Sequence, residues 1–359
     1  MDSANQTPRA ALEIDGRRIG DGAPPYIIAE VSGNHNKDLS KALRMIDVAK
    51  ASGADAVKFQ TYTADSLTVP SDRPEFQITT GTWKGWNLHR LYQEAATPYD
   101  WFKKLFAHGR DIGITVFSSP FDAAAVDLLE GLNTPAYKIA SNELTDWPLI
   151  QKAAATGKPL ILSTGASSLA DIDATAGFLR RIGAPSWSLL HCVSAYPAPL
   201  ADAHIANITA LRERFTVPIG FSDHTLDTVA AVLAVGLGAS IVEKHFILDR
   251  SEGGPDSSFA IEPDELADLV KRCREAFEAV GKPSFGSNAA EGKSPIYRRH
   301  FYATRDIKTG EELGEDNVRA IRAREGVPAR EFERLFGARA RRDIPAHTPV
   351  TWEVVDGGA

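Results

Sequence analysis

The chain has 359 residues, a net charge of −7 and two cysteines. That length holds one large domain plus a small one, and the acid excess argues against a general nucleic-acid or membrane-surface binder. Cys192 and Cys273 make no disulfide framework, which fits a reducing cytoplasm.

Residues 1–12 are polar and read as a disordered tail; no apolar leader core is visible in them, and no apolar run reaches membrane-spanning length. From there short apolar runs recur, over 27–31, 56–60, 114–119, 136–140, 159–163, 187–192, 217–221 and 240–244. Each is followed by a segment of helical character, over 39–51, 100–112, 121–132, 149–156, 168–182, 205–215, 228–237 and 262–280. Strand-then-helix alternation implies parallel strands joined by right-handed crossovers. Eight such units over roughly 250 residues are the size of a TIM (β/α)8 barrel. A doubly wound open sheet is the alternative, but no Gly-x-Gly-x-x-Gly turn follows the first run. Ser40 is a candidate cap for the first helix, and Gly53 marks its end. The connection over 61–97 is unusually long and carries Trp83, Trp86, Asn87, His89 and Tyr92, which reads as a functional loop.

After Gly281 the character changes. Residues 282–296 read as a linker, and 297–359 as a small β-rich module with many arginines. So few residues make a thin core, so docking onto another surface is expected.

In a TIM barrel, function sits at the C-terminal ends of the strands. Those ends read Glu30, then Lys58 and Gln60, Ser118 and Ser119, Lys138 and Ser141, Ser163 and Thr164, then His191, Ser194 and Tyr196. The last two supply Ser222, Asp223 and His224, then Glu243, Lys244 and His245. Two lysines with Ser119, Ser141, Ser163 and Ser222 make a site for a ligand with a phosphate and a carboxylate. His224 and His245, on adjacent strands, suit a divalent transition metal, and Glu30 a base, a water-orienting group or a third ligand. Phosphate, carboxylate and metal together suggest phosphoenolpyruvate chemistry, with the metal polarising an acceptor carbonyl. The plainer readings are that the lysines only pair with nearby acids, that Trp83 and Trp86 only pack their loop, and that Cys192 and Cys273 are buried small hydrophobes.

The blocks AEVSGNHN (29–36), GADAVKFQTY (53–62), SSPFD (118–122), PAYKIASNE (135–143), GKPLILSTG (157–165), LLHCVSAYPAP (189–199), GFSDHT (220–225), EKHF (243–246) and GGPDS (253–257) resemble the sialic acid synthase family. The C-terminal module resembles that family's antifreeze-like, or SAF, domain through RRHFYATRDIKTGE (298–311). Within the family, KFQTYTADSLT (58–68) and DRSEGGPDSSFAIEPDEL (249–266) bring it closest to the pseudaminic acid synthases. The resemblance implies condensation of phosphoenolpyruvate with an N-acetylated amino-sugar aldehyde, giving a nine-carbon 2-keto acid sugar and phosphate. It implies a divalent ion on His224 and His245, manganese in the first place, with magnesium and cobalt as alternatives, and Glu243 supporting that region. Lys58, Ser119, Lys138, Ser141, Ser163, Ser194 and Ser222 would hold phosphoenolpyruvate. Glu30 would be catalytic, while Gln60, Tyr196 and Asp256 would face the sugar. It also implies a cytoplasmic homodimer whose SAF domain covers the partner's active site and lends an arginine from an Arg-Pro-Gly segment. Here that segment reads Arg322-Ala323-Arg324: the arginine matches, and the proline and glycine do not. Ser194, Asn142 and Asp227 also depart from the common pattern. A legionaminate- or N-acetylneuraminate-type acceptor, a metal-dependent barrel hydrolase, and a non-catalytic sugar binder are the alternatives.

Overall fold

The computed structural model describes residues 10–285, 290 and 297–356. The chain divides into two compact units, Met1–Gly281 and Lys282–Ala359. Residues 1–9 of the expected tail, and most of the expected linker, lie outside the described residues. The last part of that tail is no tail. Leu12 is buried in strand β1 (Leu12–Ile14), which pairs antiparallel with β2 (Arg17–Ile19). The turn between them is Asp15-Gly16, both at positive φ, a pairing that suits the tight turn of a two-residue hairpin.

Eight parallel strands then close into a barrel. They are β3 (Tyr26–Glu30), β4 (Ala56–Thr61), β5 (Thr115–Pro120), β6 (Tyr137–Ile139), β7 (Leu160–Ser163), β8 (Trp187–Cys192), β9 (Ile219–Asp223) and β10 (Ile241–His245). β10 closes the ring on β3. Helices return the chain after each strand. α1 (Leu39–Ala51) follows β3, and the long connection after β4 holds α2 (Ala64–Leu67) and α3 (Leu88–Ala95) before α4 (Phe102–Ile112). The rest are α5 (Ala123–Gly131), α6 (Trp147–Ala154), α7 (Leu169–Arg181), α8 (Asn207–Arg214), α9 (Val229–Gly236) and α10 (Pro263–Val280). The cap of α1 is Asp38, not Ser40: its carboxylate accepts from the backbone N–H of Ser40 and Lys41. Ser40 already lies inside the first turn, where a side chain cannot cap.

Strand alternation sorts the barrel interior into layers. Ile28, Ala56, Phe117, Ala136, Ile161, Leu190 and Ile241 meet as an apolar floor, joined from below by Tyr26 and by Leu12, Ile14 and Ile19 of the hairpin. Two residues further along each strand, the same inward face carries Glu30, Lys58, Ser119, Lys138, Ser163, Cys192 and Glu243. The hairpin therefore plugs the mouth opposite the polar ring. At Gly220 an added Cβ would stand 2.5 Å from Leu190 Cδ2 and 2.6 Å from Ile241 O, so only glycine lets β9 pass between its neighbours.

The second unit pairs β11 (Arg298–Ala303) with β12 (Val318–Ala323) antiparallel, carries a short helix, α11 (Phe332–Leu335), and continues past it in bridges such as Ile307 with Ile344 and Ala340 with Val355. Its own core gathers Phe301, Ile307, Leu313, Val318, Val327, Leu335, Ile344 and Val350. No described helix is long and apolar enough to cross a membrane.

Because the hairpin seals the floor far from the polar ring, Leu12→Ala should destabilise the barrel by about 2–5 kcal/mol. Urea denaturation measures this. A loss under about 0.5 kcal/mol, the size of an ordinary surface substitution, would mean the plug contributes little.

Candidate active site

The polar ring is built on ion pairs. Lys58 Nζ lies 3.1 Å from Glu30 Oε2 and 3.3 Å from Glu243 Oε1, and it donates to Ser119 Oγ at 3.4 Å. Lys138 Nζ donates to Ser163 Oγ at 2.6 Å and to Ile139 O at 3.2 Å, and lies 3.7 Å from Glu243 Oε1. Ser222 Oγ donates to Glu243 Oε1 at 3.1 Å, and Gln60 Nε2 to Glu30 Oε1 at 2.7 Å. All four charged groups are buried. The lysines do pair with acids, but those acids are themselves members of the ring, so pairing keeps both ammonium groups in the site.

Burial decides how these charges sit. It pushes Glu30 above the usual carboxylate range, against the pull of Lys58 and with the push of Glu243. It works on Glu243 the same way, but Lys138 and Lys58 together hold that carboxyl below the range. Burial also lowers Lys138, with Glu243 opposing. Glu30 is thus the acid of the pair that takes up a proton more readily.

Beside Lys138 lies a pocket of hydroxyls. Gly165 N–H donates to Ser141 Oγ at 3.1 Å. A Cβ at Gly165 would stand 2.3 Å from Ser194 Oγ, 2.8 Å from Ser141 Oγ and 3.1 Å from Cys192 Sγ. The absent side chain at 165 is what allows two serines and a backbone amide to converge beside an ammonium group, a favourable set for an oxyanion.

His224 and His245 stand side by side, ring centroids 5.3 Å apart. His224 Nδ1 lies 2.8 Å from Val193 O, an acceptor, so Nδ1 carries the proton and Nε2 keeps its lone pair. His245 Nδ1 is buried without a hydrogen-bond partner, and lies 3.7 Å from Asp256 Oδ2. Burial, then His224 and the lysines, keeps His245 well below the usual histidine range, so its ring is neutral. Against the cost of burial, Cys192 and the Val193 carbonyl push His224 above the usual histidine range. The Nε2 of His224 and the orphaned Nδ1 of the neutral His245 are the nitrogens that would suit a divalent ion. Among the described residues no group of three or more His, Cys, Asp or Glu could hold one.

Above the histidines lies a cavity of about 340 Å³. Tyr196 leans on His224 at 4.3 Å between ring centroids and on Phe259 at 5.3 Å. Trp83 reaches in from the long connection, 5.3 Å from Tyr196, and its Nε1 donates to Pro255 O at 2.7 Å. Thr82 Oγ1 donates to Tyr196 O. Leu67, Ile78, Leu88, Leu91 and Phe121 make the wall apolar, while Gln60, Asn142, Glu143 and Asp256 supply polar groups.

Residues 45–284 match the NeuB family and residues 298–355 the SAF domain. The chain belongs to the NeuB family. It is 39% identical over 335 residues to a pseudaminic acid synthase of Helicobacter pylori, covering 93% of this chain and 98% of that one. An N,N'-diacetyllegionaminic acid synthase of Campylobacter jejuni is 35% identical, covering 88% and 96% of the two chains. Among solved structures, an N-acetylneuraminic acid synthetase from Leptospira borgpetersenii, in complex with citrate, superposes with a TM-score of 0.72 at 32% identity, covering 79% of this chain and 95% of that chain. This NeuB-family chain is therefore an enzyme, with the barrel and the SAF domain its sequence resembles.

Its barrel brings together Glu30, Lys58, Gln60, Ser119, Lys138, Ser141, Ser163, Ser194, Tyr196, Ser222, His224, Glu243, His245 and Asp256. Arg322 belongs to the second unit, exposed on β12 opposite Arg299. Asp223 and Lys244, read from sequence as part of the ring, point out of the barrel because they alternate with Ser222, His224, Glu243 and His245. Cys192 is buried as expected, yet not as a mere hydrophobe: its Sγ lies 3.8 Å from His224 Nδ1. Trp83 does more than pack its loop, whereas Trp86 stays exposed under Arg90. Sequence reasoning passed over Glu143, whose place in the turn just after β6 is the signal that would have found it. Its Oε2 is buried without a hydrogen-bond partner among the described residues, and burial pushes its carboxyl up to about 7.

An acid with a raised native pKa contributes stability that is whole below its unfolded value and is lost as pH rises through the folded one. For Glu143 that window runs from 4.5 to about 7. Glu143→Gln should therefore melt with the wild type near pH 4.5 and above it at pH 8. Thermal scans at the two pH values check this; an equal offset at both would remove Glu143 from the account.

Proposed function

We propose that the chain condenses phosphoenolpyruvate with an N-acetylated amino-sugar aldehyde of the pseudaminic acid type, a diacetamido-trideoxy-altrose, giving a nine-carbon 2-keto acid sugar and phosphate. The observation that carries this is the junction of a two-lysine, multi-hydroxyl pocket with two adjacent imidazoles, one of which, His245, lines the cavity. Lys58 and Lys138, with Ser119, Ser141, Ser163, Ser194 and Ser222, hold the phosphate and carboxylate and fix the donor's orientation. His224 and His245 would hold a divalent ion, manganese first and magnesium or cobalt next, and that ion would polarise the aldehyde oxygen. Carbon three of the donor forms the new bond to the aldehyde carbon, whose oxygen ends as a hydroxyl. Water adds at carbon two, and Glu30, with Gln60 and Lys58 orienting its carboxylate, takes the water's proton. The bond from carbon two to the phosphate oxygen then breaks, phosphate leaves with the electron pair, and the carbon-two hydroxyl loses its proton to become the keto group, so the water's two protons end on the new hydroxyl and on phosphate.

The cavity supports this choice of acceptor. Its apolar wall suits a deoxy sugar's methyl group and acetamido methyls, while Gln60, Tyr196 and Asp256 take its polar groups. No lysine or arginine among the described residues lines it, and Glu143 and Asp256 face inward, which disfavours a phosphorylated sugar. The 39% identical relative named pseudaminic acid synthase points the same way. Phosphate release from phosphoenolpyruvate should require an acceptor, be greatest with the diacetamido-trideoxy-altrose, and stop with chelator. His224→Ala should lose about 10²-fold or more. Wild-type release by that variant, or release without acceptor, would refute the reaction; a preference for N-acetylmannosamine or a legionaminate-type precursor would refute only the sugar.

The same reading places the enzyme in the cytoplasm, where its two free cysteines would stay reduced. It also makes the enzyme a homodimer in which the SAF domain of one copy covers the barrel mouth of the other and brings Arg322 to the sugar. Arg322→Ala should then raise the acceptor KM about tenfold or more, as for a lost charged hydrogen bond, and leave that for phosphoenolpyruvate near wild type. A fully active monomer in sedimentation would sink the shared site.

A further inference from the structure

On the outer face of the barrel, directly behind the two histidines, lies a buried ion pair that the reaction does not use. Lys244 and Asp223 are paired across β10 and β9, each one residue before a histidine. Lys244 Nζ donates to Asp223 Oδ2 at 2.7 Å, to Thr225 O at 2.6 Å and to Asp227 O at 3.0 Å. An ammonium group has three protons, so this lysine is fully satisfied. Asp223 Oδ1 in turn accepts from the backbone N–H and the hydroxyl of Thr225, at 2.8 and 2.7 Å. The side chains of Lys244 and Asp223 are 1% and 0% exposed.

We infer that Lys244 is a positioning residue for the two-histidine site. His224 lies between Asp223 and Thr225, both of which Lys244 holds, and His245 is the next residue after Lys244. One buried ammonium therefore fixes the backbone from which both imidazoles project. Alternation along the strands puts the pair on one face and the imidazoles on the other, so Lys244 sets their separation without touching a ligand. Replacing such a pair by apolar groups would cost little stability, so ion pairing for its own sake does not explain this one. What an apolar pair cannot replace is the tie to the carbonyls of Thr225 and Asp227, which holds the turn leaving His224.

This inference rests on the proposed metal-binding role of His224 and His245, and the test separates the two. Mn2+ affinity of the metal-stripped full chain is measured by electron paramagnetic resonance of the free ion, with thermal unfolding alongside. Lys244→Met should weaken Mn2+ binding about 10- to 100-fold, the range typical when groups supporting a metal ligand are lost. The double variant Lys244→Met with Asp223→Leu should regain most of the unfolding temperature and still bind Mn2+ weakly. Should the single variant not fold, the double variant decides alone. Wild-type affinity in the double variant, with His224→Ala unable to bind, overturns the positioning role and leaves the metal site standing. Wild-type affinity in His224→Ala overturns the metal reading, and this inference with it.

Discussion

Everything at the open end of this barrel depends on four charges buried in its lumen. Two acids, Glu30 and Glu243, and two lysines, Lys58 and Lys138, sit on an apolar floor, and each is held by at least one of the others. Isolated, any one of them would cost several kcal/mol to bury. Together they balance, and the hydroxyls of Ser119, Ser163 and Ser222 complete their hydrogen bonding. Glu243 is the hub: one of its oxygens meets both lysines and Ser222, while the other has no hydrogen-bond partner among the described residues.

That balance also polarises the site into regions with different tasks. Around Lys138 the groups are hydroxyls and a backbone amide, which suit an anion. Around His224 and His245 they are two adjacent imidazoles packed under Tyr196 and Phe259. Glu30 lies between, with its carboxyl raised by burial and oriented by Gln60. Groups suited to an anion, a pair of imidazoles and a raised carboxyl thus meet within one barrel mouth, which is the arrangement the proposed condensation requires. The roof of the acceptor cavity comes from the long connection after β4, pinned where Trp83 meets Pro255 and Thr82 meets Tyr196. This loop supplies Ile78, Trp83, Leu88 and Leu91 to the cavity wall, while Ser141 is shared between the cavity and the hydroxyl pocket.

The barrel was legible because its strands are short apolar runs separated by amphipathic helices, a pattern set by local chemistry. The strand ends were legible for the same reason: Lys58, Lys138, His224 and His245 interrupt apolar runs where a core strand needs no charge. Other features were invisible for a physical reason. The hairpin over Leu12–Ile19 is short and polar on one face, and only its burial against the barrel floor distinguishes it from a tail. Within the long connection, α3 spans only eight residues with a single one buried, Leu91, which is too short a stretch to stand out from the loop around it.

The sequence by itself determined the barrel and nearly every residue of the ring, because alternation and spacing are properties of neighbouring positions, and its motif blocks carried the resemblance to the family. Only the tertiary structure decided which partners those residues take. That Glu243 joins two lysines from different strands depends on barrel closure and stagger. That Cys192 touches His224, that Gly165 must lack a side chain, and that Lys244 faces away from the site to hold the turn behind it depend on the same closure. Each of these is a contact between residues far apart in the chain, and such contacts exist only once the sheet has closed on itself.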